Sequence, residues 1–328
     1  MITLTKSIIC LMLGFIFSII IGIFIIPFFK KCHIGQKVSK LINARHLKKE
    51  GTPTMGGIIF ISSTLFIMLI LFLNNNISFS LNFLIIILIF ILYAFLGFLD
   101  DYIKVRKQNN KGLSIIFKFL MQSIIAILFF TLFLLSGNNT VVNFYFFTLD
   151  LKFLYGILIL FMLVGSSNAV NITDGLDGLA AGLCAICFLS YGIIAWNSPY
   201  IIGNEEIAIF CFTLVGSLLG FLTFNFYPAK IFMGDLGSLA LGATLAAISI
   251  ILKSEISLII IGFVFIIETL SSFIQIISIR YFHKKIFLKS PLHHHFEMLS
   301  FNESEIIKMF YCVGLICSLI ALIYISFH

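Results

Sequence analysis

The chain has 328 residues, of which 60% are hydrophobic and only 11% are charged. Soluble domains are about 25% charged, and no polar stretch in this chain is long enough to form one. The composition therefore excludes a soluble enzyme and indicates an integral membrane protein. Seven cysteines, mostly within apolar runs, also argue against a disulfide framework.

Ten apolar runs predict an all-α integral membrane protein with about ten transmembrane helices. A helix needs about 20 residues to cross the bilayer. The predicted spans are about 7–29, 56–73, 82–99, 115–136, 151–169, 179–196, 206–225, 237–252, 257–282 and 305–327. The eighth is short, and the ninth is long enough to break or tilt. Residues 1–328 are therefore predicted to form one polytopic membrane domain.

The distribution of basic residues predicts the orientation of the chain. With the N-terminus outside, the inner loops receive 18 of the 21 Lys and Arg residues, and only Lys6, Lys152 and Lys253 lie outside. The positive-inside rule thus favours an orientation with both termini on the outer side of the membrane. The net charge of +7 then describes a basic cytoplasmic face and no nucleic-acid partner is expected.

The first two inner loops carry lysines next to glycines and a pair of aspartates. Lys49 precedes Gly51, and Lys111 precedes Gly112, which places compact positive charges beside adaptable backbone suited to phosphate. Neither stretch fits a P-loop or a dinucleotide fingerprint. The Asp-Asp pair at 100–101 ends a predicted helix, where negative charge opposes the helix dipole. A bound metal or Lys104, one turn later, would explain the pair.

The third inner stretch, residues 168–182, places two Asp, two Asn, a Thr and three Gly between apolar runs. Unsatisfied polar groups are costly in lipid, so this loop is expected to line water or protein. Ionisable residues at membrane depth indicate a functional site. The alternative is an ordinary turn between two helices, with Gly supplying a positive φ.

Five aspartates lie at the predicted inner helix ends: Asp100, Asp101, Asp174, Asp177 and Asp235. Clustered carboxylates suit Mg²⁺, which binds one or two of them together with phosphate oxygens. Lysines and Mg²⁺ at a membrane face predict phosphoryl transfer, in which positioning and charge neutralisation dominate. The triple histidine at 293–295 fits proton transfer, an anion contact or a metal, although further zinc ligands are missing.

Five motifs in order carry a resemblance to a known family. They are Thr-Pro-Thr-Met-Gly-Gly at 52–57, Asp-Asp-Tyr-x-Lys at 100–104, Asn-Ile-Thr-Asp-Gly-Leu-Asp-Gly-Leu at 171–179, Phe-Met-Gly-Asp-x-Gly-Ser at 232–238 and Pro-Leu-His-His-His-Phe-Glu at 291–297. Together they resemble the phospho-N-acetylmuramoyl-pentapeptide-transferases, within the polyprenyl-phosphate phospho-sugar transferase superfamily. The resemblance implies ten membrane helices with periplasmic ends. It also implies Mg²⁺-dependent transfer of phospho-MurNAc-pentapeptide from its UDP carrier to undecaprenyl phosphate, which gives lipid I and UMP in peptidoglycan synthesis.

The resemblance also implies roles for individual residues. Asp235 would hold Mg²⁺, Asp100 and Asp101 would serve the lipid phosphate, and Phe232 would stack on uracil. The residues implied in catalysis are Asp100, Asp101, Asp235 and His293. Those implied in substrate binding are Lys49, Thr54, Lys104, Lys111, Asn168, Asn171, Asp174, Asp177, Asn225, Phe232, Gly234, Ser238, Gln275, His294 and His295.

Two other functions remain open at this stage. A sibling enzyme would move another UDP-sugar phosphate onto the same lipid, although such relatives vary around the histidine motif. A transporter would also place carboxylates in broken helices, but near the bilayer midplane and with repeat symmetry. The motifs here gather at one predicted face. The sequence leaves a homodimer and the choice between direct and covalent transfer undecided.

Overall fold

The computed structural model describes residues 2–32, 34–35, 51–108, 111–144, 147–198 and 200–326. This part of the chain folds into twelve α-helices and one short hairpin. The helices are α1 (Ile2–Lys31), α2 (Gly57–Leu73), α3 (Leu81–Arg106), α4 (Ile115–Leu135), α5 (Leu154–Thr173), α6 (Leu179–Trp196), α7 (Asn204–Asn225), α8 (Gly234–Ile251), α9 (Glu255–Ile261), α10 (Phe263–Ile277), α11 (Leu292–Met298) and α12 (Glu303–Ser326). A π-helical turn, Ser278–Phe282, extends α10.

The predicted all-α multi-pass membrane protein is confirmed. Among the described residues, nine helical stretches are long and apolar enough to cross a membrane, and α2 is a shorter apolar helix of 17 residues. Each predicted span falls on one helix except the ninth, which is divided between α9 and α10 at Gly262. Only helices satisfy their own backbone polar groups in lipid, which explains why apolar runs predict them so well.

The helix bounds differ from the prediction most at the polar ends. The helix α3 continues seven residues beyond the predicted end at 99, so Asp100 and Asp101 lie on a helix and not in a loop. The helix α5 likewise continues four residues beyond the predicted end at 169 and includes Asn171, which leaves a turn of only five residues before α6. The polar side chains at these positions were taken to indicate loops. They lie instead on the ends of helices that face one another inside the protein.

The helix α8 is the centre of the fold. Every residue from Leu236 to Ile251 is buried, although the stretch contains several Ala, Gly and Ser residues. The helices α3 and α5 pack along it, α2 and α6 contact it, and α7 lies between α1 and α6. Small side chains on α8 let neighbouring backbones approach closely, as is common where membrane helices associate.

Glycines mark the two closest approaches to the start of α8. A Cβ added to Gly97 would lie 2.1 Å from the carbonyl oxygen of Asp235. A Cβ added to Gly57 would lie 2.5 Å from the Cα of Gly237. Real Cβ atoms do not approach so closely, so α3 and α2 can adopt these positions only with glycine there. Both contacts surround the first turn of α8.

The opposite end of the bundle has a separate polar cluster. The amino group of Lys253 donates to the carbonyl of Asn139 and lies 4.6 Å from the ring centroid of Phe133 and 4.8 Å from that of Tyr155. The Tyr155 hydroxyl donates to Glu255. Burial lowers the pKa of Lys253 to about 8. These contacts tie α4, α5 and α9 together without any of the five motifs.

A hairpin at this same end was not predicted. Its strands, β1 (Val141–Asn143) and β2 (Thr148–Asp150), pair antiparallel with Val142 opposite Leu149. Strands of three residues carry almost no periodicity, so the sequence gives no clear signal for this hairpin. The Thr140 hydroxyl also donates to the Asp150 carboxylate at 2.5 Å, which closes the base of the hairpin.

The close approach of α3 to α8 makes a prediction about Gly97. We expect Gly97→Ala to lower the free energy of unfolding by about 1–3 kcal/mol, because the added methyl group forces the two helices apart. It should also reduce enzymatic turnover, because Asp235 moves away from Asp100 and Asp101. The matched control is Gly165→Ala on α5, where an added Cβ meets no atom within 4 Å.

Thermal unfolding in detergent and turnover in the same preparation check this prediction. The control should be neutral or slightly more stable, because Ala favours a helix over Gly by roughly 1 kcal/mol. Equal unfolding temperatures and equal turnover in Gly97→Ala and Gly165→Ala would contradict the steric account of the α3–α8 contact.

Candidate active site

Three carboxylates meet where the end of α3 contacts the start of α8. Asp100, Asp101 and Asp235 each offer an oxygen, and these oxygens lie within 4.8 Å of one another. Adjacent aspartates on a helix point about 100° apart, yet both offer an oxygen to the cluster. Asp101 is joined to the first turn of α8, since the backbone N–H of Leu236 donates to Asp101 Oδ2 at 3.1 Å.

Two lysines balance this carboxylate cluster. Lys104 Nζ lies 2.6 Å from Asp100 Oδ2 and 3.0 Å from Asp235 Oδ1. Lys118 Nζ lies 2.7 Å from Asp235 Oδ2 and 3.7 Å from Asp100 Oδ1. Lys104 was expected near phosphates, whereas Lys118 was regarded only as an inner-loop charge. Its place on the first turn of α4, behind the Ser114 cap, brings it into the site.

An amide and a hydroxyl complete the surroundings of Asp235. Asn171 Nδ2 donates to Asp235 Oδ1 at 2.9 Å and to Ser238 Oγ at 2.8 Å. Ser238 Oγ donates in turn to the carbonyl of Gly234 at 3.1 Å. The last turn of α5 and the first turn of α8 are thus joined through the predicted site residues Asn171, Gly234, Asp235 and Ser238.

The donor set of the cluster fits a hard divalent cation. Asp101 Oδ1 is buried and accepts no hydrogen bond from the described part of the chain, and Lys104 Nζ lies 3.7 Å from it. A buried carboxylate oxygen without a donor is costly unless a cation approaches it. Oxygen ligands at this density are those that Mg²⁺ or Ca²⁺ takes, and no soft ligand lies among them.

The first motif is built into the same corner through its backbone. Phe232 N–H donates to the carbonyl of Pro53, while Gly56 N–H donates to the carbonyl of Phe232, both at 2.8 Å. Thr54 is fully buried, and its hydroxyl has no partner in the described residues. A Cβ on Gly234 would lie 3.0 Å from Thr54 Oγ1 and 2.4 Å from Asp101 Oδ2, and Gly234 has a φ of +75°. Only glycine fits this position beside the cluster.

The turn between α5 and α6 forms a second group of site residues. Gly178, with a φ of +86°, ends it, and Asp177 holds it to the rest of the site. The backbone N–H of Ala229 donates to Asp177 Oδ2 at 3.0 Å, and the N–H of Asp177 donates to Glu303 Oε1 at 2.7 Å. Asp174 is half-buried at the C-cap of α5. The Tyr311 hydroxyl donates to the carbonyl of Gly178 at 2.6 Å.

His293 faces this turn and is oriented by a residue that the sequence analysis did not select. Glu268 on α10 accepts from the backbone N–H of His293 at 3.1 Å and contacts His293 Nδ1 at 3.0 Å. Both side chains are buried. A Cβ on Gly175 would lie 2.3 Å from His293 Nε2, which contacts no described hydrogen-bond partner. Glu268 carries no motif signal, because it lies alone within an apolar run.

The other two histidines have different partners, as expected for consecutive residues at a helix start. His294 Nδ1 lies 2.5 Å from Glu297 Oε2, and burial lowers the pKa of His294. His295 Nδ1 accepts from the N–H of Leu288 at 3.1 Å. Gln275 accepts from the N–H groups of Ile286 and Phe287 and donates to the Phe287 carbonyl. His295 and Gln275 therefore hold the segment before α11.

The remaining predicted residues lie apart from the cluster or outside the described residues. Asn168 donates to Gln122 Oε1 at 3.3 Å, one turn away from Asn171. Asn225 donates to the carbonyl of Ile231 and shapes the loop before α8. Lys111 is exposed next to Gly112, whose neighbour Leu113 donates its N–H to Asp100 Oδ1 at 2.8 Å. Lys49 lies outside the described residues.

The fold and the site define a class of protein. It is a multi-pass helical membrane protein with a carboxylate–lysine cluster at one end of its bundle. Comparison with known sequences places it more closely. Residues 82–253 match the profile of glycosyl transferase family 4, and residues 49–61 match phospho-N-acetylmuramoyl-pentapeptide-transferase signature 1.

Curated relatives match over nearly the whole chain. The phospho-N-acetylmuramoyl-pentapeptide-transferase of Oceanobacillus iheyensis is 45% identical over 321 residues, which cover 97% of each chain. The protein of the same name from Staphylococcus saprophyticus is 47% identical over 91% of this chain and 92% of its own. That of Geobacillus kaustophilus is 43% identical over 96% of both. The chain belongs to the phospho-N-acetylmuramoyl-pentapeptide-transferase family, which confirms the resemblance seen in its motifs.

The contact between Glu268 and His293 makes a prediction. We expect Glu268→Ala to reduce turnover, because it should raise the activation free energy by about 1–3 kcal/mol. Two buried donors of His293, its backbone N–H and Nδ1, lose their acceptor. Glu268→Gln keeps one acceptor oxygen and should recover part of this loss. The control is Glu297→Gln, which alters the neighbouring His294 and should have a smaller effect.

Nitrogen chemical shifts of labelled His293 give a readout that is independent of the rate. In the native protein the proton should be on Nδ1, towards Glu268. An unchanged His293 spectrum in Glu268→Ala would show that Glu268 does not orient the ring.

Proposed function

We propose that this protein transfers phospho-MurNAc-pentapeptide from UDP-MurNAc-pentapeptide to undecaprenyl phosphate, which produces lipid I and UMP. The observation that carries the proposal is the carboxylate cluster with its two lysines. Such a site handles anionic phosphates by charge neutralisation. The shared name of the curated relatives supports the choice of donor.

The reaction is a phosphoryl transfer between two phosphate esters. An oxygen of the lipid phosphate attacks the phosphorus that carries the sugar, and a new P–O bond forms. The bond from this phosphorus to the bridging oxygen breaks, and that oxygen leaves with UMP. A phosphate monoester has a second pKa near 6, so the acceptor is mostly dianionic at neutral pH and needs little activation. We therefore favour direct displacement over a covalent intermediate.

The residues of the cluster supply positive charge and position. Lys104 and Lys118, paired with the carboxylates, would place compact ammonium groups beside the bound phosphates. Asp100 and Asp101, at the end of α3, would face the lipid phosphate. The turn with Asp174 and Asp177 and the loop with Phe232 would contact the uridine diphosphate. His293 Nε2, directed at Gly175, would contact an anionic oxygen of the donor.

Mg²⁺ is the proposed cofactor. Asp235, with Asp100 and Asp101 beside it, would hold the ion, and a bound Mg²⁺ supplies charge stabilisation to the transferring phosphoryl group. Asn171 keeps Asp235 in place by a hydrogen bond and is itself bonded to Ser238. The lysines remain beside the carboxylates and reduce their mutual repulsion.

The proposed orientation places the site on the cytoplasmic side of a bacterial inner membrane, with both termini in the periplasm. The basis is the 18-to-3 distribution of Lys and Arg between the two sides. A UDP-linked donor made in the cytoplasm requires this arrangement. The homodimer stays a prediction.

The sibling phospho-sugar transferases remain the alternative, and donor choice separates the two functions. Purified protein with undecaprenyl phosphate and Mg²⁺ should release UMP from UDP-MurNAc-pentapeptide and not from UDP-GlcNAc. Equal or greater release from UDP-GlcNAc would favour the sibling activity. The same assay tests the metal, since removal of Mg²⁺ by a chelator should abolish release and Mg²⁺ should restore it.

Asp235→Asn tests the position of the ion. We expect it to remove most turnover and to weaken the response to Mg²⁺, because an amide oxygen binds a hard cation less strongly than a carboxylate. Asn225→Asp, a charge change at the buried last residue of α7, tests whether the response is specific to the cluster. Native turnover by Asp235→Asn at ordinary Mg²⁺ would rule out this assignment.

Single cysteines test the orientation. Asn76 and Lys107 are exposed at opposite ends of the bundle. The background carries Cys32→Ser and Cys312→Ser, which remove the exposed cysteines of the described residues. In this background, Asn76→Cys should react with an impermeant thiol reagent in intact cells. Lys107→Cys should react only after permeabilisation. The reverse pattern would place the site on the wrong side for a cytoplasmic nucleotide.

A further inference from the structure

A short segment after α10 combines positive charge with exposed apolar side chains. We name residues 279–289 the basic–aromatic loop. It contains Arg280, Lys284, Lys285 and Lys289, and the chain has no acidic residue between Glu268 and Glu297. The charge of the loop is therefore not compensated by neighbours in sequence, and it favours an anionic partner.

The apolar side chains of the basic–aromatic loop point away from the protein. Tyr281 and Phe282 are each 69% exposed, Ile286 is 58% exposed and Leu288 is 52% exposed. The loop begins in the last turn of the candidate span Phe263–Phe282 and continues beyond its end. Aromatic and basic residues together at the end of a membrane helix belong to the headgroup region, where the ring enters the lipid and the charge meets phosphate.

The basic–aromatic loop has a defined shape. Its first half is closed by Ser278, whose hydroxyl donates to the carbonyl of Lys284 at 2.8 Å, and His283 turns the chain with a φ of +52°. Its second half is held by Gln275, which bonds the backbone of Ile286 and Phe287 at 2.9–3.0 Å. The exposed side chains are thus presented by an ordered backbone, which reduces the entropic cost of docking.

Two further contacts connect the loop to the histidine motif. The N–H of Leu288 donates to His295 Nδ1, and the rings of Phe287 and His295 lie 5.8 Å apart at 76°. His295 belongs to α11, which also carries His293. A displacement of the loop would therefore also displace α11, which places His293 next to the 174–178 turn.

We infer that the basic–aromatic loop docks on anionic phospholipid headgroups and that this contact holds α11 in its working position. Docking on the headgroups is inferred from exposure and charge alone. The effect of docking on α11 rests on the proposed function. Each lysine near an anionic leaflet strengthens the contact about fivefold. A leaflet without net charge would leave the loop less firmly docked and the site less active.

Fluorescence quenching tests the docking. The chain has a single tryptophan, Trp196, at the far end of α6. In a Trp196→Phe background, Tyr281→Trp should be quenched more by brominated phosphatidylglycerol than by brominated phosphatidylcholine. The preference should decline at high salt, because the Debye length decreases. Equal quenching by both lipids at low salt would overturn the inference.

The rate of UMP release tests the coupling to the site. In vesicles, the native protein should be about fivefold or more faster with phosphatidylglycerol than with phosphatidylcholine alone. Lys284→Gln with Lys285→Gln should lose most of this ratio. The matched control is Lys30→Gln with Lys31→Gln, two adjacent exposed lysines at the end of α1, which should keep the native ratio.

The outcomes separate the two proposals. Loss of the ratio in both double variants would overturn the inference, because the effect would then be one of total charge. Lipid-selective quenching with no difference in rate would overturn the coupling to α11. Lipid-selective quenching in a protein that releases no UMP would support the docking and contradict the proposed function.

Discussion

The site depends on one contact, the approach of α3 to the first turn of α8 at Gly97. This contact brings Asp100 and Asp101 to Asp235 across two helices that are far apart in sequence. Two like charges 4 Å apart repel by about 4 kcal/mol at the effective dielectric constant of a protein site. The arrangement is stable only because Lys104 and Lys118 are placed between the carboxylates at 2.6–3.0 Å. Steric fit and charge balance therefore have to be satisfied together.

The other motifs are arranged around the same turn of α8. Backbone hydrogen bonds join the first motif to Phe232 and Met233, and Asn171 joins α5 to Asp235. The 174–178 turn is held from the other side by Asp177 and by Glu303 of the last helix. Polar groups that would be costly in lipid are thus paired with one another at one end of the bundle, and the long apolar part of α8 remains a close-packed core.

The sequence predicted the class of fold and the apolar helices, because apolar length is a local property of the chain. The orientation, which was drawn from charge asymmetry, and the roles of the site residues stay predictions. Lys118 and Glu268 were not selected, because their roles come from neighbours across the bundle and neither lies in a motif. Asn168 and Asn225 were selected as polar residues near the motifs in sequence, yet the structure gives them contacts to Gln122 and to the Ile231 backbone. A position near a motif therefore does not predict which side chains face the site.

The charge of the cluster explains why lysines and carboxylates occur together there. The formal charges of three aspartates and two lysines sum to −1, which would be unfavourable for the two phosphate-bearing substrates proposed above. A divalent cation held by the same carboxylates would change this sum to +1. The lysines alone would not give the cluster a positive net charge, because each is already bonded to a carboxylate at 3.0 Å or less. Affinity for phosphate at this site is therefore expected to follow metal occupancy, with the lysines setting how much charge the cation must supply.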